Sequence, residues 1–172
     1  MNYLSPHFTL DELTRSDTAV RLGIDNTPDA DVLQAIQVLA DGAERVRHVL
    51  GCPMHPSSGF RCEALEKVVA RKDFISWCGR HGKDVGDEAW GEYFPRKAHP
   101  KGLALDFVAP GYGDPSKVVA AIADERDYIG FEQCIAEGTW VHISFPMSGR
   151  GKGEVMTAKF KDGVPSYTRG LV

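Results

Sequence analysis

The sequence has few cysteines, and they are scattered. Cys52, Cys62, Cys78 and Cys134 are spread over 172 residues, with no CxxC pair among them. That excludes a disulfide scaffold and points to free thiols in a reducing compartment. No apolar run approaches the ~20 residues that span a bilayer, which excludes a helical membrane anchor. The N-terminus, MNYLSPHFTLDEL, lacks a basic segment followed by an apolar run, so no secretory signal is expected and synthesis should be cytoplasmic. Nor is there a global excess of positive charge. The net charge is −4, and nothing points to a nucleic-acid partner. Repeats and linkers are absent too. The length suits one domain, residues 1–172, with its own core, and a monomer is expected.

What charge there is sits unevenly. From Met147 onward the bases are Arg150, Lys152, Lys159, Lys161 and Arg169, against only Glu154 and Asp162. This tail carries about +3 (five minus two) on an acidic body. A solvated surface accounts for it; an anionic polymer such as a cell wall is the sharper reading.

Helical periodicity is strongest from Ala30 to Leu50. Val32, Leu33, Ile36, Leu39, Ala40, Ala43, Val46 and Val49 form one apolar stripe, and Gly51 with Pro53 ends it. Before it, Thr9 and Glu12 read as a capping box, with Phe8 stapled on Leu13. Pro56–Arg61 reads as a short strand or turn. Cys62–Arg71 reads as a helix with Ala64, Leu65, Val68 and Val69 inward. Between about 71 and 97 the pattern dissolves into Gly, Asp, Lys and aromatics, so an irregular insertion is expected there. Leu103–Val108 is a strand candidate. Asp114 and Pro115 open a helix running to about Glu125, with Val118, Val119 and Ile122 inward. Phe131–Ala136 and Trp140–Phe145 read as strands, and a C-terminal hairpin tail occupies about 147–172. The fold class is α+β, a small antiparallel sheet packed against helices.

Three segments carry chemistry. In His99-Pro100-Lys101-Gly102-Leu103-Ala104-Leu105-Asp106, a glycine lets an imidazole and a strand carboxylate converge, and both are suitable zinc ligands. In Glu137-Gly138-Thr139-Trp140-Val141-His142, a two-residue turn at 138–139 pairs Glu137 with Trp140 and Ile135 with His142. Glu137, Trp140 and His142 then share a face, with Glu137 roughly 5–8 Å from His142. In Ser58-Gly59-Phe60-Arg61, the guanidinium can hold a carboxylate or an oxyanion. Each segment alone has a blander reading: a surface histidine, a packed hairpin, a solvated arginine.

Taken in order, SGFR at 58–61, H-x-x-G-x-A-x-D at 99–106 and WVHIS at 140–144 resemble the zinc D-Ala-D-Ala carboxypeptidase family. That family includes phage and bacterial peptidoglycan endopeptidases and shares its fold with the Hedgehog signalling domain. LSPHFTLDEL and the long helix also look like its phage members. The resemblance implies a Hedgehog/DD-peptidase-like fold and a Zn2+ cofactor held by His99, Asp106 and His142. It implies that Arg61 holds substrate or transition state. The family's general base most often stands three residues before the last histidine, where this chain has Thr139. Glu137 is the nearest acid, and Glu132 is a second candidate. Other departures are Lys97, where many members have Ser, and Glu66-Lys67, where Asn is common.

The resemblance thus implies metal-assisted hydrolysis of peptidoglycan stem or cross-link peptides, with Glu137 as base. Lacking a leader, such an enzyme would reach the cell wall only after host lysis. A non-catalytic zinc-containing binding or structural module of the same fold is the alternative. A cysteine hydrolase using Cys78 or Cys134 is a third reading, although inert buried thiols explain both residues better.

Overall fold

The computed structural model describes residues 2–172. The chain begins with α1 (Leu10–Thr14) and α2 (Asp17–Leu22), followed by the long α3 (Ala30–Leu50). Thr9 closes the expected capping box with Glu12, and Asp29 caps α3 through the Val32 amide. Then come β1 (His55–Ser58), α4 (Glu63–Val69), α5 (Arg71–His81) and α6 (Asp87–Tyr93). Two 3-10 turns, Phe94–Arg96 and His99–Lys101, lead to β2 (Ala104–Val108). Helices α7 (Pro115–Asp124) and α8 (Arg126–Ile129) precede β3 (Gln133–Glu137), β4 (Trp140–Ser144), β5 (Glu154–Lys161) and β6 (Val164–Arg169).

The strands form a single six-stranded sheet in the order β1-β2-β4-β3-β5-β6. The expected antiparallel sheet needs one amendment, because β5 runs parallel to β3. The chain returns from β4 through 145–153 before entering β5, and that stretch reverses its direction. The tail hairpin turns on Asp162-Gly163 alone, both at positive φ, with Lys161 paired to Val164. This is the asparagine-or-aspartate–glycine turn that matches strand twist.

Alternation along the strands divides the sheet into two faces. Leu105, Phe107, Cys134, Ala136, Val141 and Ile143 face the main core with α3 and α7. The α3 stripe is buried at Ile36, Leu39, Ala40, Ala43 and Val46, as the spacing predicts, while Leu33 is exposed. Val118, Val119 and Ile122 of α7 complete this layer. All four cysteines are free.

Residues 71–97 correct the sequence reading. They are not irregular but form two helices and a 3-10 turn around an aromatic core of their own. Phe74, Trp77, Trp90 and Tyr93 meet there at ring-centroid distances of 5.1–5.6 Å. The inward residues of α4 also differ from expectation. Leu65 and Glu66 are buried, whereas Ala64, Val68 and Val69 are exposed. An ion pair, described below, holds Glu66 inside.

In the tail, Arg150 pairs with Asp127, Lys152 with Glu132 and Arg169 with Glu154. Much of its positive charge is therefore met on the protein's own surface. Among the described residues, no helix is long and apolar enough to cross a membrane.

Candidate metal centre

The second face of the sheet carries the site. Strand β2 places Asp106 directly opposite His142 on β4, and β3 places Ile135 opposite His142 from the other side. The hairpin turns at Gly138-Thr139 with Glu137 paired to Trp140, the register expected from the sequence. His99 arrives from the 3-10 turn before β2. Gly102 ends that turn at φ +71, close against Val32 and Ile36 of α3, where a side chain would be strained as well as crowded.

His99, Asp106 and His142 are brought together. Each offers a donor atom, and all three lie within 4.8 Å of one another. His99 Nε2 is 3.3 Å from Asp106 Oδ1, and His142 Nδ1 is 2.9 Å from the same oxygen. Among the described residues this is the one such grouping of His, Cys, Asp and Glu.

The surroundings orient His99 and Asp106, and Asp106 in turn holds His142. His99 Nδ1–H donates to the Gly59 carbonyl at 2.7 Å, which fixes the tautomer and leaves the Nε2 lone pair facing Asp106. Burial pushes the His99 pKa below its ordinary value, favouring the neutral ring that a metal requires. Burial alone would raise the Asp106 pKa. The charge and hydrogen bonds of the two histidines outweigh it and hold the carboxyl well below the usual range, so it stays ionised. Two imidazoles and one carboxylate, with His99 and Asp106 oriented by outer partners, are a donor set that would suit Zn2+ in a catalytic role.

Arg61 touches this group rather than standing free. Its Nη2 donates to Asp106 Oδ2 at 2.6 Å, Nη1 to Glu66 Oε2 at 3.3 Å and Nε to Ser58 Oγ at 2.8 Å. The guanidinium therefore bridges two buried carboxylates. Glu66 is fully buried, and its other oxygen, Oε1, has no hydrogen-bond partner. Ser58, Gly59 and Glu66 thus join the site as supports. The first two lay in the SGFR segment; Glu66 showed only as a departure from the family pattern, and a buried acid was not expected there.

Glu137 lines the same cavity as the three metal residues and Arg61. Burial raises its pKa, His142 and a hydrogen bond from the Trp140 side chain oppose that rise, and Asp106 adds to it. The result is a carboxylate shifted toward the range useful for proton transfer near neutrality. Glu132 is bound to Lys152 at 2.7 Å and does not line the cavity. Cys134 is buried on the opposite face of the sheet, with its thiol pKa raised by burial, and Cys78 lies in the aromatic core of the insertion. Neither is placed as a nucleophile.

The cavity measures about 740 Å³. One wall is the sheet; α4 and α5 form another, and the β5–β6 hairpin closes the third side with Phe160, Pro165 and Tyr167. Lys72 Nζ donates to the Asp162 carbonyl at 3.3 Å, tying the hairpin tip to α5.

Residues 6–71 match the family model for peptidase M15. This is the zinc D-Ala-D-Ala carboxypeptidase family, so the resemblance read from the motifs is borne out over that span. The match supports a hydrolase of the metallopeptidase kind. It includes SGFR and ends before His99, so the His-Asp-His grouping is an observation independent of it. No curated protein matches the chain.

Proposed function

We propose that the protein is a zinc peptidase that hydrolyses stem or cross-link peptides of peptidoglycan. One observation carries the reading: an oriented His99–Asp106–His142 group shares a cavity with an acid, Glu137, whose pKa is raised. When bound, zinc supplies Lewis acidity toward the scissile carbonyl and the attacking water. The protein's own groups do the rest. His99, Asp106 and His142 would hold the ion, with His99 Nε2 and His142 Nδ1 already turned to the Asp106 carboxylate. Arg61 and Gly59 hold Asp106 and His99 in place. Glu137 takes the proton of the attacking water on its carboxylate and returns it to the departing amine. Thr139 sits in the turn, and its hydroxyl is no base.

An acid in the cavity is what a purely structural zinc module would not need, and it favours the enzyme over the binding-module reading. A cavity of about 740 Å³ has room for a peptide segment beside the metal residues. In this reading the protein acts as a monomer on the cell wall after host lysis, as a phage or prophage lytic enzyme would.

The test is digestion of purified peptidoglycan, with products read by mass spectrometry. New amine and carboxyl termini within the peptides, lost on chelation and restored by zinc, are expected. Unchanged cleavage after chelation would rule out the zinc mechanism. Full cleavage by Glu137→Gln would rule out the assigned base alone.

A further inference from the structure

The insertion helices bring cations to the cavity that the metal site does not use. Arg61 is engaged by Asp106 and Glu66, and Lys97 by Asp73 at 3.1 Å. Arg71, Lys72, Arg80 and Arg96 also line the cavity, so six cations there face four acids, Glu66, Asp73, Asp106 and Glu137. None of those four cations makes an ion pair among the described residues. The excess of positive charge is local: the whole chain is acidic, at −4.

Arg80 and Arg96 are the best placed of the four. Asp73, Trp77 and Arg80 recur on one face of α5 at i, i+4 and i+7, and all three line the cavity. The Arg96 guanidinium lies over the Trp77 ring, 5.5 Å from its centroid. Arg80 Nη1 donates to Ser76 Oγ at 2.6 Å, which steadies one side of that guanidinium. Across the cavity stands Tyr167 of β6, close enough for the Arg80 charge to act on its phenol. Two exposed guanidiniums flank a buried indole at the rim of the cavity, with a phenol on the far side, and together they offer donors to an anion entering from solvent. A guanidinium binds a carboxylate through two parallel N–H donors.

We propose that Arg80 and Arg96 form a substrate subsite that recognises a carboxylate of the peptide, apart from the metal residues. The proposal rests on the peptidase reading and names its substrate class: acidic peptides, with the carboxyl group held by the insertion while the scissile bond lies at His99, Asp106 and His142. The residues that read this feature lie beyond residues 6–71, the family-matched span.

Binding and cleavage are measured separately. The full chain carrying Glu137→Gln is loaded with zinc and titrated calorimetrically with the synthetic peptide L-Ala-D-Glu-L-Lys-D-Ala-D-Ala. The comparison ligand is the same peptide with its carboxyls amidated. The free acid is expected to bind about tenfold more tightly, as two charge-assisted contacts allow. Adding Arg80→Gln and Arg96→Gln should reduce that preference to about twofold, with lysine at both positions retaining part of it. Arg80→Gln alone leaves the Arg96–Trp77 contact intact and should lower the preference about threefold, so the test survives a double variant that folds poorly. Equal binding of acid and amide overturns the proposal, as does a preference that persists in the glutamine variants. Cleavage of peptidoglycan by the unsubstituted chain, read by mass spectrometry, judges the peptidase reading on its own. Cleavage without carboxylate preference sinks only the subsite. Carboxylate preference without cleavage sinks the peptidase and keeps the subsite.

Discussion

Replacing Arg61 by alanine tests how the site is held together. The guanidinium is 13% exposed and bridges Asp106 and Glu66, whose side chains are 10% and 0% exposed. Without it, two carboxylates remain buried near one another, and the Ser58 hydroxyl loses its partner as well. Removing one member of a buried ion pair costs about 3–5 kcal/mol, because the group left behind is charged and uncompensated. For a chain of this length that corresponds to a fall in Tm of about 6–20 °C. Urea unfolding of the chelated protein should show the loss as a lower midpoint with an unchanged slope. Zinc should recover part of it, since a dication beside Asp106 replaces some of the missing positive charge. Zinc affinity should nevertheless fall about 10–100-fold, the usual consequence of losing an outer partner of a metal ligand. Arg61→Ala that unfolds within about 1 kcal/mol of the parent and binds zinc as tightly would refute the bridging role. Arg61 would then be acting on substrate alone.

Glu137→Gln should lower peptide turnover about 10²–10⁴-fold with zinc affinity kept, as measured by initial rates and zinc titration. The same substitution has a pH signature in stability. Burial raises the folded-state pKa of Glu137 above its ordinary 4.5, so the folded chain holds that proton more tightly than the unfolded one. The ionised carboxylate therefore destabilises the fold above its folded pKa, and the penalty fades as pH falls to the unfolded value. Chelated Glu137→Gln should unfold at higher urea than the parent at neutral pH, and the difference should close below about pH 4; a difference that widens on acidification would contradict the burial argument. Gly59→Ala should disturb both fold and metal, because a Cβ there would run into the Leu13 carbonyl while the Gly59 carbonyl positions His99. A lower Tm and weaker zinc binding are expected together, and either one unchanged would separate the two roles. Thr9→Ala removes the capping box of α1 and should cost about 1 kcal/mol in urea unfolding, with zinc affinity unaltered.

The parts of the fold that local rules govern were legible. Asp29, the apolar stripe and Gly51 set both ends of α3, and the Gly138-Thr139 turn set the register that puts Glu137 and His142 on one face. The parts that long-range packing governs were not. Helices α5 and α6 bury aromatics in a cluster so small that no apolar stripe of ordinary length marks them, and their glycines read as loop. On α4, Val68 and Val69 looked inward because they are apolar, yet Glu66 is the buried residue. Its partner Arg61 is only five residues away, but that guanidinium is held in turn by Asp106, 45 residues on, a contact no local pattern reveals.

That difference bears on where specificity arises. The three metal residues need only the sheet and one 3-10 turn, elements whose order and register follow from short motifs. The cavity around them needs α4, α5 and the tail hairpin, the last two meeting through the Lys72–Asp162 contact. A change in the insertion can therefore alter what the cavity accepts without moving His99, Asp106 or His142. The metal residues and the walls of the cavity thus come from different segments of the chain, joined at the Arg61–Asp106 pair and along the β3–β5 pairing.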